Sequence, residues 1–181
     1  MDLSTIDAWL AWIATLHTIE IELGLDRVRR VAQRLDLLQP ECPVIIVGGT
    51  NGKGSTVAAL EALYCTMGFR VGAFTSPYLF AYNEQVRING ANAADEQFCA
   101  AFQQVKDALG DTTLTPFEFG TLAAMLILKQ HMLDVWLLEV GLGGRLDAVN
   151  ILDADLAVIT SISLDHIEWL GDTREKIGFE K

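Results

Sequence analysis

Gly49, Gly52 and Gly54 surround Lys53 in the run Gly48-Gly49-Thr50-Asn51-Gly52-Lys53-Gly54-Ser55-Thr56. Glycines let backbone N–H groups crowd around an anion because no Cβ intervenes, and a lysine adds a compensating charge. The run follows the apolar stretch Val44–Val47 and precedes an apolar-periodic segment that ends near Gly68. It therefore reads as a strand, a phosphate-binding loop and a helix beginning at Ser55. The spacing departs from GxxxxGK[ST]: Val47 holds the first glycine position, and Gly54 separates Lys53 from the hydroxyl residue. The same glycines could form a plain strand–helix turn with a surface lysine, but their context favours phosphate.

A phosphate loop that serves catalysis needs a hard cation, commonly held by a carboxylate at a neighbouring strand end. The segment Asp134–Val140 places Glu139 at such an end. Leu164-Asp165-His166 follows another strand end, on the edge where α/β sheets bind ligands, so His166 is either a structural residue or a ligand. His17 and His131 have no such context and read as structural. Gly141-Leu142-Gly143-Gly144-Arg145 lacks the last glycine of a dinucleotide motif because Leu146 stands there. Its glycines read instead as room for backbone to approach a bound ligand. Ser76 and Ser161 have no suitably framed base, so no nucleophilic triad is visible. The absence of an NKxD tetrapeptide argues against a GTPase switch.

The elements that must carry these residues alternate. Ser4 reads as a helix cap with Asp7 three residues on, and Trp9, Trp12, Ile13 and Leu16 share one face. Leu25, Val28, Ala32, Leu35 and Leu38 mark a second helix; its outer face, with Arg27, Arg30 and Arg34, is either simply solvated or part of an anion-binding rim. Arg70–Phe74 is a strand, and Val86–Gly90 a strand entering an Asn-Gly turn. Phe98, Ala101, Phe102, Val105 and Leu109 give another helix. Thr115, Pro116 and Glu118 fit the cap, first position and capping-box partner of the next. Val135–Val140 and Leu156–Thr160 are unalternated apolar runs, as expected of parallel strands covered on both faces. Asp172 and Glu175 start a last helix. The expected fold is α/β: a P-loop-containing, mostly parallel, doubly wound sheet with helices on both faces, incomplete at the C-terminus. A helical part, residues 1–40, precedes a core at 44–181.

Composition narrows the classes. The 181 residues are 51% hydrophobic, and 13 Lys+Arg against 24 Asp+Glu give a formal net charge of -11. Disorder is excluded, and phosphate-neutralising nucleic-acid binding does not suit this charge. The longest unbroken apolar stretch, Leu122–Leu128, is far short of a membrane span. No Lys or Arg precedes Arg27, the opposite of a secretory leader. Cys42, Cys65 and Cys99 are unpaired in number and lack a CxxC, which suits reduced, buried thiols and a cytoplasmic setting.

Taken together, several segments resemble the dihydrofolate synthase/folylpolyglutamate synthase family of Mur-ligase-type, ATP-dependent amide ligases. The carriers are GTNGKGS at 49–55, TSPYL at 75–79, YNEQVRING at 82–90, LTPFEFGT at 114–121, LEVGLGGRLDAVN at 138–150 and TSISLDHIEWLGDTREKIGFEK at 160–181. The resemblance implies a fold like the Mur-ligase central domain. It also implies a reaction in which ATP converts the carboxylate of dihydropteroate, or the γ-carboxylate of a folate, into an acyl phosphate that the amine of L-glutamate attacks. The chain matches the N-terminal part of the family's ATPase domain, the C-terminal glutamate-binding domain being absent, so negligible turnover is expected from it alone. A monomeric, cytoplasmic parent with small-molecule substrates and no nucleic-acid or membrane partner is implied.

By the same resemblance, Gly49, Thr50, Asn51, Gly52, Lys53, Gly54 and Ser55 would wrap the ATP phosphates, and Ser76, Glu139 and His166 would hold Mg2+. Lys181 aligns with a lysine that relatives carry as a carbamate, which requires a depressed pKa. The pterin would lie among Glu20, Ile21, Glu22 and Leu23; Thr115, Pro116, Phe117 and Glu118; and Leu146, Asp147 and Ala148, with Asp147 as acceptor and Phe117 as stacking face. Tyr78 and Gln85 depart from the His and Arg common in the family. Two other readings are another Mur-type ligase with a different acid, and a non-catalytic nucleotide- or folate-binding module completed by a partner chain.

Overall fold

The structure, a computed structural model, describes residues 3–19 and 21–181. Its elements in chain order are helices α1 (Ile6–Ile13) and α2 (Asp26–Arg34), strand β1 (Val44–Gly48), helix α3 (Lys53–Thr66) and strand β2 (Val71–Phe74). Strands β3 (Val86–Ile88) and β4 (Ala91–Asn92), helices α4 (Asp95–Ala108) and α5 (Pro116–Lys129) and strand β5 (Val135–Glu139) follow. Strand β6 (Leu156–Ile159) and helices α6 (Ile167–Leu170) and α7 (Arg174–Glu180) complete the order.

One six-stranded sheet runs β4-β3-β2-β5-β1-β6. The strands β2, β5, β1 and β6 are parallel, whereas β3 is antiparallel to both β2 and β4. The β3–β4 hairpin turns at Asn89 and Gly90, both at positive φ, as the Asn-Gly pair predicts. Successive residues of the central strands face opposite layers. Val44, Ile46, Trp136 and Leu138 join the core under α1, α2, α4 and α5; Ile45, Val47, Val135 and Leu137 join the smaller core under α3. The doubly wound reading of the sheet therefore holds, with the helices of the N-terminal part sharing the larger core.

Four local expectations change. Thr5, not Ser4, caps α1: its backbone is extended and its hydroxyl accepts the Ala8 N–H at 3.3 Å. Helix α3 starts two residues early, at Lys53, because Gly52 takes the left-handed turn itself (φ 86°). Thr173, not Asp172, caps α7, and Asp172 instead pairs with Lys176 at 2.8 Å. Finally, β6 is an edge strand with Leu156 and Ile159 50% and 49% exposed, so it is not covered on both faces here. The capping box of α5 forms as predicted: Thr115 N–H donates to Glu118 Oε2 at 2.8 Å and Glu118 N–H to Thr115 Oγ1 at 3.2 Å.

Because the four parallel strands point the same way, their C-terminal ends share one sheet edge. From it leave the loop 49–52 after β1, Thr75–Ser76 after β2, Glu139 and the glycine-rich turn at β5, and Thr160–His166 after β6. The sheet thus gathers at one edge residues that are more than 100 positions apart.

Candidate active site

Gly49 and Gly52 adopt φ of +132° and +86° in the loop between β1 and α3. At Gly49 an added Cβ would collide with the Thr160 hydroxyl and stand 3.0 Å from the Thr160 nitrogen, so only glycine fits. The N–H groups of Thr50 and Asn51 are not free for a ligand. They donate to Ser161 O at 2.7 Å and Ser161 Oγ at 3.3 Å. Gly52, Lys53 and Ser55 have no protein acceptor for their N–H groups among the described residues. The donor side of the expected 49–55 cradle is therefore narrower: Gly52, Lys53 and Ser55 at the start of α3, the Gly54 N–H being turned to Glu139.

Two lysines converge on this loop. Lys53 Nζ and Lys181 Nζ each donate to Gly49 O at 3.0 Å. Burial first, and the neighbouring Lys53 charge second, lower the Lys181 pKa, the direction that the expected carbamate would need. Glu139 is buried at the end of β5. It accepts the Ser76 N–H at 3.2 Å, and a Cβ on Gly54 would sit 3.5 Å from its Oε2. Burial raises the Glu139 pKa, opposed by the Ser76 N–H, Lys53, Arg87 and the Gly54 N–H.

Ser76 and Glu139 are thus brought together beside the phosphate loop, while His166 is not seen in contact with either. Its backbone is at φ 46° before α6, and its ring faces Asp165 at 3.7 Å. No group of three or more His, Cys, Asp or Glu side chains suited to a metal occurs among the described residues.

Beside this edge lies a cavity of about 290 Å3. Ile21, Glu22 and Leu23, then Thr115, Phe117 and Glu118, then Leu146, Asp147 and Ala148 all line it, so three segments distant in sequence meet as expected. Pro116 does not line it, being committed to the first turn of α5. Glu20 lies outside the described residues. Ser76, expected as a metal ligand, and Gly141, expected to let backbone approach a ligand, also belong to the wall, together with Pro77, Gly24 and Leu142, which no residue-level reading singled out.

Asp147 lines the cavity and also serves as a local cap: Leu142 N–H donates to its Oδ2 at 2.8 Å and Val149 N–H to its Oδ1 at 3.1 Å. Burial pushes its carboxyl up to about 6. The glycines of 141–144 make room for the protein itself, and Gly141 also lines the cavity. A Cβ on Gly141 would stand 2.5 Å from the Phe117 ring, and one on Gly144 would stand 2.7 Å from Lys181 O.

The basic cluster of α2 also resolves differently. Arg27 turns inward, bonding Glu22 through Nη1 and Glu118 Oε1 through Nη2 at 3.1 Å. Arg34 donates to the carbonyls of Ala108 and Leu109. Neither residue forms an anion rim. His17, read as structural, is tied to Glu22 at 2.7 Å and Thr113 at 2.9 Å, and so steadies the cavity wall. The cysteines are half-buried rather than buried, and burial raises all three thiols. Tyr78 stacks edge-on against Tyr82, and Gln85 is buried beside it.

A family described as the Mur ligase middle domain matches residues 47–181. The chain belongs to that family. Among curated Mur-ligase relatives, the Escherichia coli (strain K12) dihydrofolate synthase/folylpolyglutamate synthase is 51% identical over 178 residues, covering 98% of this chain and 42% of that protein. The E. coli FolC solved in complex with DHPP and ADP superposes with a TM-score of 0.96 at 50% identity, over 98% of this chain and 43% of that one. A Yersinia pestis bifunctional folylpolyglutamate synthase/dihydrofolate synthase complexed with AMPPNP and Mn ion gives 0.92 at 53% identity, over 98% and 43%. The chain spans about two fifths of the length of such relatives. The fold read from the sequence, and its family, are those of these proteins.

Proposed function

We propose that this chain carries the nucleotide and acid-substrate sites of an ATP-dependent amide ligase that joins L-glutamate to dihydropteroate or to a folate γ-carboxylate. The reading rests on one observation. Ser76 both lines the cavity and donates its N–H to Glu139 beside the phosphate loop. A flat heteroaromatic acid seated in the cavity against Phe117 would present its other end toward the place where nucleotide phosphate is held. The relatives named above for folate chemistry, and solved with ADP, DHPP, AMPPNP or Mn, support the same assignment.

The reaction needs two reactants held in line and negative charge neutralised as it develops. The N–H groups of Gly52, Lys53 and Ser55 and the Lys53 ammonium bind phosphate oxygens, with the start of α3 adding its dipole. Mg2+ prefers few protein oxygens, several waters and the substrate phosphates, and Glu139 with Ser76 fits that demand. The ion would draw electrons from the transferred phosphoryl group. His166 would join this set only after its turn moves toward Glu139. Lys181, as a carbamate, would add a second anionic group beside Lys53. Phe117 supplies a stacking face, and Asp147 an acceptor for ring N–H groups.

A monomeric state and a cytoplasmic setting belong to the same proposal. Because the chain spans two fifths of its relatives, binding is the property to test, with turnover expected to be negligible. Calorimetry with Mg2+·AMPPNP and with dihydropteroate should give saturable binding of each. A UDP-muramoyl acid that binds in place of dihydropteroate would favour another Mur-type ligase. Nucleotide binding that is insensitive to loss of Glu139 would favour a non-catalytic module.

A further inference from the structure

The phosphate loop is fastened along its length to the segment after β6. Thr160 Oγ1 lies 2.8 Å from Asn51 O and 3.2 Å from Gly48 O. Ser161 Oγ lies 3.1 Å from Asn51 O and accepts the Asn51 N–H at 3.3 Å. Thr50 N–H donates to Ser161 O, Ser163 N–H donates to Thr50 Oγ1 at 3.0 Å, and Thr50 Oγ1 lies 3.2 Å from Ser163 O. Each residue of the loop's first half is therefore engaged by residues about 110 positions away.

This arrangement constrains orientation. Asn51 O has the Thr160 and Ser161 hydroxyls as donors, and Gly49 O has the two lysines. With those carbonyls held by donors on the protein side, the N–H groups of Gly52, Lys53 and Ser55 are left free toward the nucleotide side of the loop, while Gly54 N–H serves Glu139 and Thr56 N–H serves Gly52 O. Without the hydroxyls, Asn51 O would lose its donors and could rotate toward a bound phosphate, where two electronegative oxygens repel. The continuation of the same segment bears Asp165 and His166, so loop and turn share one anchor.

We propose that Thr160 and Ser161 are positioning residues: their hydroxyls hold the carbonyl of Asn51 away from the nucleotide and preset the Gly52, Lys53 and Ser55 donors. This rests on the nucleotide-binding reading above and deepens it.

The test compares Thr160→Val, which keeps the shape but loses the hydroxyl, with Thr160→Ser, which keeps the hydroxyl, and with Ser161→Ala. Mg2+·AMPPNP affinity, dihydropteroate affinity, and exchange of the Thr50 and Asn51 amides are measured in the full chain. The expected result is about tenfold weaker nucleotide binding for T160V and S161A, the loss of roughly one net hydrogen bond. T160S should bind like the unsubstituted chain, dihydropteroate affinity should stay unchanged in all three, and the two amides should exchange faster in T160V and S161A. A merely structural role would lower both affinities together and would not be rescued by serine; that result overturns the proposal. So does nucleotide affinity in T160V equal to the unsubstituted chain's, which would leave the ligase reading intact. Absence of nucleotide binding by the unsubstituted chain overturns both.

Discussion

Removing the Glu118 carboxylate should destabilise the fold and loosen the cavity together. Glu118 is buried, and its two oxygens have different duties: Oε2 accepts the Thr115 N–H that opens α5, and Oε1 accepts Arg27, which also holds Glu22 on the opposite wall. In Glu118→Ala the lost half of the capping box costs about 1 kcal/mol. The lost charge-assisted bond, with Arg27 left buried on that side, adds about 1.5–3 kcal/mol. The total is about 2.5–4 kcal/mol, or roughly 5–16 °C in Tm for a domain of this size. Glu118→Gln has one acceptor oxygen for two donors, so it should fall between the two, about 1–2 kcal/mol below the unsubstituted chain.

Urea unfolding followed by the fluorescence of Trp9 and Trp12 reads these differences, since both rings pack in the core that α5 shares. A double-mutant cycle of Arg27→Met with Glu118→Ala should give a coupling of about 1–3 kcal/mol. A stability for Glu118→Ala within about 0.5 kcal/mol of the unsubstituted chain, or zero coupling in the cycle, would refute this account of how the wall is held.

Three further outcomes follow from the same geometry. Gly49→Ala should abolish Mg2+·AMPPNP binding in calorimetry, because its methyl must displace Thr160 and the φ of +132° disfavours any side chain. Asp147, pushed up to about 6 from 3.8, contributes stability that is fully present below about pH 4 and lost as pH rises through about 6. That contribution is worth about 3 kcal/mol, so the urea midpoint of the unsubstituted chain relative to Asp147→Asn should decline across this window. Lys181 should titrate at lower pH than Lys176, whose pKa its bond to Asp172 raises; NMR of 13C-methylated lysines separates the two.

The sequence made some parts of this molecule legible and hid others. The parallel strands β1 and β5 showed as unbroken apolar runs because both their faces are buried, and α5 showed through the capping box at Thr115 and Glu118. The loop glycines showed because a strand–glycine loop–helix is a local pattern, and Gly49 and Gly52 take the positive φ it demands. Strand order was hidden: β5 enters between β1 and β2 by pairing that no local pattern encodes. Arg27 looked solvated because it sits among arginines on one face, yet two carboxylates from other segments draw it inward. The use of the Thr50 and Asn51 N–H groups by Ser161 was equally invisible, since such bonds link distant residues. The cavity lining from 21–23, from Thr115, Phe117 and Glu118, and from 146–148 was reached through resemblance, and the fold then brought those stretches together.

The central claim is that two adjoining sites, a phosphate loop and an apolar cavity, take different parts of one reaction. It is tested most directly by cross-titration of Lys53→Ala and Phe117→Ala with Mg2+·AMPPNP and dihydropteroate. The account predicts that Lys53→Ala loses nucleotide and keeps dihydropteroate, while Phe117→Ala loses dihydropteroate and keeps nucleotide. Equal loss of both ligands in either variant, or dihydropteroate affinity unchanged in Phe117→Ala, would contradict it.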